Sequence, residues 1–252
     1  MRSWSIAPIP RGGRQPISGP DRNVFYAAAV DTGYRMDDLD PEQVEVERAL
    51  YGPLTQAIRE LVDAGIRTTV APDEVRRAQA EIEAITARLR ASQLPGPYGV
   101  RLRTDGRGRA WGNTVVGLRN AIAPPLVVTA DERGVRSDFH LGAPYEGPPT
   151  SVHGGVLALV LDQLLGEAVG AAGKPGMTAT LSLNYRRRTP LGDLWATAWI
   201  ERVDGIKTWA RGEMGDAEGV TVEAEGLFIL PRWAREALTD GDGELPTPRF
   251  FE

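Results

Sequence analysis

The chain has 252 residues, 42% hydrophobic and 25% charged, enough for one large domain or a domain with a sizeable extension. A net charge of −5 argues against a nucleic-acid partner, and the lack of cysteine removes disulfides, thiol nucleophiles and thiolate metal sites. Histidine occurs only at 140 and 153, and no zinc, EF-hand or phosphate-loop spacing is present, so neither a metal nor a cofactor is expected.

Residues 1–38 read as a disordered or irregular tail. Its start, MRSWSIAPIPRGGRQPISGP, holds three arginines and no acid, lacks the apolar core of a secretory signal, and carries too much Pro and Gly for an amphipathic transit helix. No apolar run approaches the ~18 residues that span a bilayer. A cytoplasmic protein without a membrane span is the expectation.

Residues 39–98 read as a helical extension. Asp40-Pro41-Glu42-Gln43 is a helix start, with Asp40 as cap, Pro41 at the first position and Gln43 closing a capping box. Val44, Leu50, Leu54, Ile58, Leu61 and Val62 supply apolar positions. Gly52-Pro53 should break or kink this segment, and Gly65 is a plausible stop. A second helix begins near Pro72, with Val75, Ala78, Ile82, Ile85 and Leu89 on one side, and ends at Leu94-Pro95-Gly96-Pro97. The pair reads as a scaffold for the main domain or for a partner subunit.

Residues 99–233 change to strand texture. Thr114–Asn120 and Leu126–Ala130 are short and β-rich, and Asp131 to Gly134 is a hairpin turn before Val135–Leu141. His140, at the end of that strand, has no clear partner. The loop GAPYEGPPTS leads into an apolar helix from about Gly154 to Ala171. Four strands follow: Thr178–Arg187, Leu194–Val203, Ile206–Met214 and Val220–Leu230, the middle two joined by Asp204-Gly205. The architecture is α+β, a curved antiparallel sheet wrapped on a central helix. Trp195 and Trp199 share one face of it, in the pocket or on the outside. Residues 234–252 read as a C-terminal tail.

The chemistry sits in SVHGGVLALVLDQLLGEAVG, residues 151–170. A helix apolar on every side should be buried, yet it carries Asp162 in its middle. A carboxylate there finds partners or is kept as a base or nucleophile. Gly154 and Gly155 leave first-turn amides bare, where the helix dipole favours the oxyanion of a carbonyl under attack. Gly155 and Asp162 lie seven residues apart, on nearly the same face but roughly 10 Å along the axis. One carbonyl cannot reach both. Two antiparallel copies would set Gly155 of one opposite Asp162 of the other, with Gly166 leaving room. An obligate homodimer with two composite sites is expected, and pairing of dimers is left open.

His153-Gly154-Gly155, then Asp162, then TATLSLNY at 178–185 and RRTPLGD at 187–193, resembles the PaaI-like family of hotdog-fold acyl-CoA thioesterases. The closing strands GIKTWA and VEAEGLFIL resemble that family's last two. The resemblance covers about residues 113–231 and implies a hotdog fold and hydrolysis of an acyl-CoA thioester. It implies Asp162 as the acidic catalytic residue, Gly155 as backbone donor to the thioester oxygen, and Thr178 as a group placing water or the carboxylate. His153 either orders the loop or touches substrate. Gly154 and Asn184 fall among the expected substrate contacts. The family's strand commonly has proline where this chain has Arg188, which leaves Arg186, Arg187 and Arg188 in a row. They either reach the phosphates of CoA or protect a solvated edge strand. A hydratase with an aspartate–histidine pair is disfavoured, because no histidine follows His153. A non-catalytic acyl-CoA-binding protein and a dehydratase stay open.

Overall fold

A computed structural model describes residues 34–232, apart from 38, 103–107 and 175, together with residue 235. The expectations for the tails at 1–33 and 236–252 lie outside the described residues. Residues 34–36, read as irregular, form strand β1 (Tyr34–Met36), which pairs in parallel with β2 (Val100–Leu102); β3 (Gly108–Arg109) completes the small sheet. Three residues are too few for a periodic signal. Just beyond β1 the buried Arg109 guanidinium binds Asp37 and, at 3.0 Å, Glu47. The buried cation is thus paired, as a buried ion needs to be.

Helix α1 (Pro41–Arg67) starts on the predicted capping box: Gln43 N–H donates to Asp40 at 2.8 Å, and Asp40 N–H to the Gln43 side chain at 2.9 Å. Gly52-Pro53 does not break it, and it runs past Gly65. Pro53 frees one carbonyl, that of Ala49, in an exposed stretch where water can serve it. Contacts on both sides hold the helix to the body. Arg119 lies 3.6 Å over the Tyr51 ring, and Arg59 donates to the Ala123 and Asn120 carbonyls at 3.1 and 3.3 Å. Helix α2 (Pro72–Arg90) follows, with no buried residue.

The predicted strand at 114–120 is absent. Asn113 Oδ1 accepts from the Val115 and Val116 amides at 2.6 and 3.0 Å, and the Asn120 amide donates to the Gly112 and Asn113 carbonyls. Asparagine side chains thus capture the backbone in turns before a ladder can form. Val115 is used as a core plug instead. Of 126–130 only Thr129–Ala130 pairs, as β4.

The main sheet has the order β4-β5-β7-β8-β9-β6, antiparallel throughout, from β5 (Val135–Leu141), β6 (Met177–Tyr185), β7 (Gly192–Asp204), β8 (Lys207–Asp216) and β9 (Gly219–Ile229). Helix α3 (Gly154–Ala171) lies across it, touching every strand from β5 to β9. Leu157, Val160, Leu161, Leu164, Leu165 and Ala168 face the inner row of Leu194, Ala196, Ala198, Ala210, Met214, Val222, Ala224 and Phe228. Gly212 and Gly226 let the helix come close. A Cβ on Gly226 would stand 3.1 Å from Leu165 and 2.8 Å from Phe228. This packing accounts for the composition of α3, which, unlike the sequence expectation, reaches the length and apolar character needed to cross a membrane. Trp195 and Trp199 are on the outer face, under Arg136 and Arg133.

Burial pushes the Glu167 carboxyl above the usual carboxylate range, partly offset by a 2.7 Å hydrogen bond from Gln163. With the folded-state pKa raised, the folded chain keeps a proton that the unfolded chain has released. The contribution of this group is full below the ordinary glutamate pKa and is lost as pH rises through the elevated one. Glu167→Gln keeps an acceptor for Gln163 without the charge. It is expected to raise Tm at neutral pH by ~2–4 °C, what about 1 kcal/mol gives in a chain of this size. The gain should vanish in melts near pH 4, where both states hold the proton.

Candidate active site

The turn before α3 sets His153. Gly147 N–H donates to Ser151 O, Ser151 N–H to Pro148 O, and His153 N–H to Tyr145 O, each at 2.9 Å. Gly147 packs so closely that a Cβ would stand 2.7 Å from the His153 Cα. His153 then caps the helix: its Nδ1 accepts the Gly155 N–H at 3.0 Å. The proton of the neutral ring therefore sits on Nε2. The amide expected to meet a carbonyl oxygen, that of Gly155, is already engaged. The Gly154 N–H has no acceptor among the described residues. The Tyr185 hydroxyl donates to Gly154 O at 3.0 Å, and its ring lies against Gly154, so a side chain there would meet it.

Two turns along, Asp162 is half-buried in the single chain rather than enclosed. It shares a row with Gly155, Leu159 and Gly166, none of them buried. Thr178 Oγ1 donates to Asp162 Oδ1 at 2.9 Å. A bulge makes this possible. The register of β6 on β9 shifts between Thr178 and Thr180, which reverses the side-chain alternation and turns Thr178 toward the helix. Asn184 points the other way, lining a shallow outer groove with Trp199, Arg211 and Glu223. The structure does not bring it to His153 or Asp162.

The three arginines separate. Arg186 pairs with Glu223 at 2.7 Å. Arg187 forks onto Asp216, one bond at 2.8 Å, and donates to Gly219 O; the guanidinium holds the Asp216 carboxyl below the usual range. Arg188 is exposed and has no partner among the described residues. His140 is not partnerless: Asp193, on the neighbouring strand, lies 2.7 Å from its Nδ1. Sequence reasoning gave Tyr185 no role. The signal was its parity with Leu181 and Leu183, which turn inward on the same strand.

A six-stranded antiparallel sheet closed around one apolar helix, with a glycine-rich helix start and a mid-helix carboxylate, defines a hotdog-fold protein. The Thioesterase superfamily model matches residues 150–223, which hold His153, Asp162, Thr178 and Tyr185. A crystal structure of a thioesterase superfamily protein is 38% identical, with a TM-score of 0.65 over 71% of this chain and 94% of that one. That span is longer than everything from residue 100 onward, so it takes in part of the extension. The acyl-coenzyme A thioesterase THEM4 of Bos taurus is 34% identical over 92 residues, 35% of this chain and 38% of the relative. THEM4 of Xenopus laevis is 31% identical over 101 residues, 39% of this chain and 46% of the relative. The matched segments span less than half of these curated relatives. The chain belongs to the thioesterase superfamily.

Proposed function

We propose that the protein is an acyl-CoA thioesterase of the cytoplasm whose two sites lie between the protomers of a homodimer. The observation that carries the reading is Asp162, a carboxylate in the middle of an apolar helix, fixed by Thr178 and set on the one row of α3 that its own sheet leaves uncovered. Strand β6, at the edge of the sheet, offers its unpaired side to a partner copy. Apposed α3 helices would bury Asp162 and bring it opposite the first turn of the other helix. The family and the names of the curated relatives support the substrate class.

In this reading the thioester oxygen takes the free Gly154 N–H, and Gly155 stays with the His153 cap. Asp162 removes a proton from water as the water oxygen bonds to the carbonyl carbon. The carbon–sulfur bond breaks, and the proton passes to the departing CoA thiolate. Tyr185 and Thr178 position these groups.

The test is release of CoA thiol from a panel of acyl-CoAs of different chain lengths, by the chain as it stands. Turnover on at least one is expected; tight binding without turnover on any would replace the enzyme with a binding protein. Arg188 is the arginine open to the CoA phosphates. Arg188→Ala is expected to raise KM about tenfold with kcat nearly unchanged, about 1.4 kcal/mol of lost binding. Arg186→Ala, already tied to Glu223, should shift KM far less in the same assay.

A further inference from the structure

Helix α1 meets the body of the protein with a polar row. Tyr51, Thr55, Arg59 and Asp63 stand four residues apart along one side of it. Thr55 is buried and Arg59 half-buried, while Leu50, Leu54, Ile58 and Leu61 stay exposed. What this row supplies is oriented hydrogen bonding rather than apolar burial. The Arg59 guanidinium forks across one turn of the body: Nε donates to Ala123 O at 3.1 Å and Nη2 to Asn120 O at 3.3 Å. The Ala123 carbonyl also takes the Tyr145 hydroxyl, at 3.3 Å. Burial holds the Tyr145 phenol above its usual range, against the charge of Arg59, so it keeps its proton and donates. The Tyr145 carbonyl accepts the His153 N–H at 2.9 Å, and His153 caps α3. A path of contacts thus runs from the extension to the first turn of α3.

We propose that Arg59 is a positioning residue of the active site, acting through Ala123 and Tyr145 on the turn that carries His153. That turn has two arms. Residues 150–152 are tied to the connection between β6 and β7: Val152 N–H donates to Thr189 O at 2.9 Å, and Leu191 N–H to Thr150 O at 3.1 Å. The opposite arm begins at Tyr145, whose hydroxyl is held through Ala123 and Arg59. Without Arg59 the 120–123 turn loses a charged donor, the stronger kind of hydrogen bond, and Tyr145 follows it. The His153 ring then loses its fixed seat. With it goes the choice of which first-turn amide, Gly154 or Gly155, is left bare for the thioester oxygen. A shift of about 1 Å in such a place is felt in turnover. The effect on turnover rests on the thioesterase reading above; the path of contacts does not.

Arg59→Ala and Tyr145→Phe are each expected to lower kcat for acyl-CoA hydrolysis about tenfold, with KM little changed. The double variant should lose little more than either single, because the two act in series. Arg59→Lys, which can reach one carbonyl but cannot fork, should recover part of the loss. Gln56→Ala, on the exposed side of the same helix, should behave as the parent. A second readout is the tautomer of His153. ¹⁵N-labelled histidine gives signals from two rings only. In alkaline buffer the parent His153 is expected as one tautomer, with its proton on Nε2, and Arg59→Ala and Tyr145→Phe should mix the two. His140, held by Asp193, is the internal control. Variants that match Gln56→Ala in both readouts would overturn the proposal. So would a mixed tautomer with kcat intact, or falls in kcat that only follow falls in Tm while the His153 tautomer is unchanged. If the parent turns over no acyl-CoA, the thioesterase reading fails and the tautomer comparison alone decides the path. If Arg59→Ala does not fold, Tyr145→Phe, which removes one hydroxyl, carries both readouts.

Discussion

Asparagine in place of Asp162 is expected to lower kcat for acyl-CoA hydrolysis by about 10²–10⁴-fold, the usual worth of a positioned base. The substitution is nearly isosteric. The Asn side-chain oxygen can still accept from Thr178, now at 2.9 Å from the carboxylate, so the helix and the bulged strand should keep their relation. What disappears is the ability to take a proton. KM should change little if Arg188 and the apolar row supply the binding. A thiol-release assay with matched thermal melts checks both parts. A variant that hydrolyses as fast as the parent would remove Asp162 from the chemistry. A variant that is slow and also melts early would leave only a structural effect.

Leu165→Ala is expected to produce the largest loss of stability of any single change considered. Leu165 is fully buried, touching the sheet where Gly212 and Gly226 have no side chains. The backbone of β8 and β9 cannot fold inward to fill the space, because both strands are paired on each side. A leucine truncated in such a place costs about 3 kcal/mol, for the lost transfer energy and the cavity together. For a chain of this size Tm should fall by roughly 6–12 °C. Melts followed by circular dichroism would show it, and a loss under 1 kcal/mol would mean that the core collapses around the gap.

Most of the main sheet was readable because five of its strands run for seven to thirteen residues and the last ones are joined by tight turns; Gly205, at φ 54°, is the clearest. The central helix was readable from its unbroken apolar run, and Asp162 stood out against it. Other features depend on partners remote in sequence. The Asn113 and Asn120 hydrogen bonds override the β-branched run at 114–116. Asp193 reaches His140 only because the register of β5 on β7 places them side by side. The turning of Thr178 toward the helix depends on one extra residue in β6, which no alternation pattern announces. Gly155 and Gly154 differ only in which amide the His153 ring takes, a matter of a side-chain rotamer.

Arg109 draws a further consequence. It lies after residue 99, on β3 of the small sheet, and its two carboxylates, Asp37 and Glu47, come from the segment before that residue. Seams between independent modules are places where few contacts cross. Here removing the leading segment would strand an interior cation, so a chain shortened to begin at residue 99 is expected to lose stability rather than shed an inert accessory.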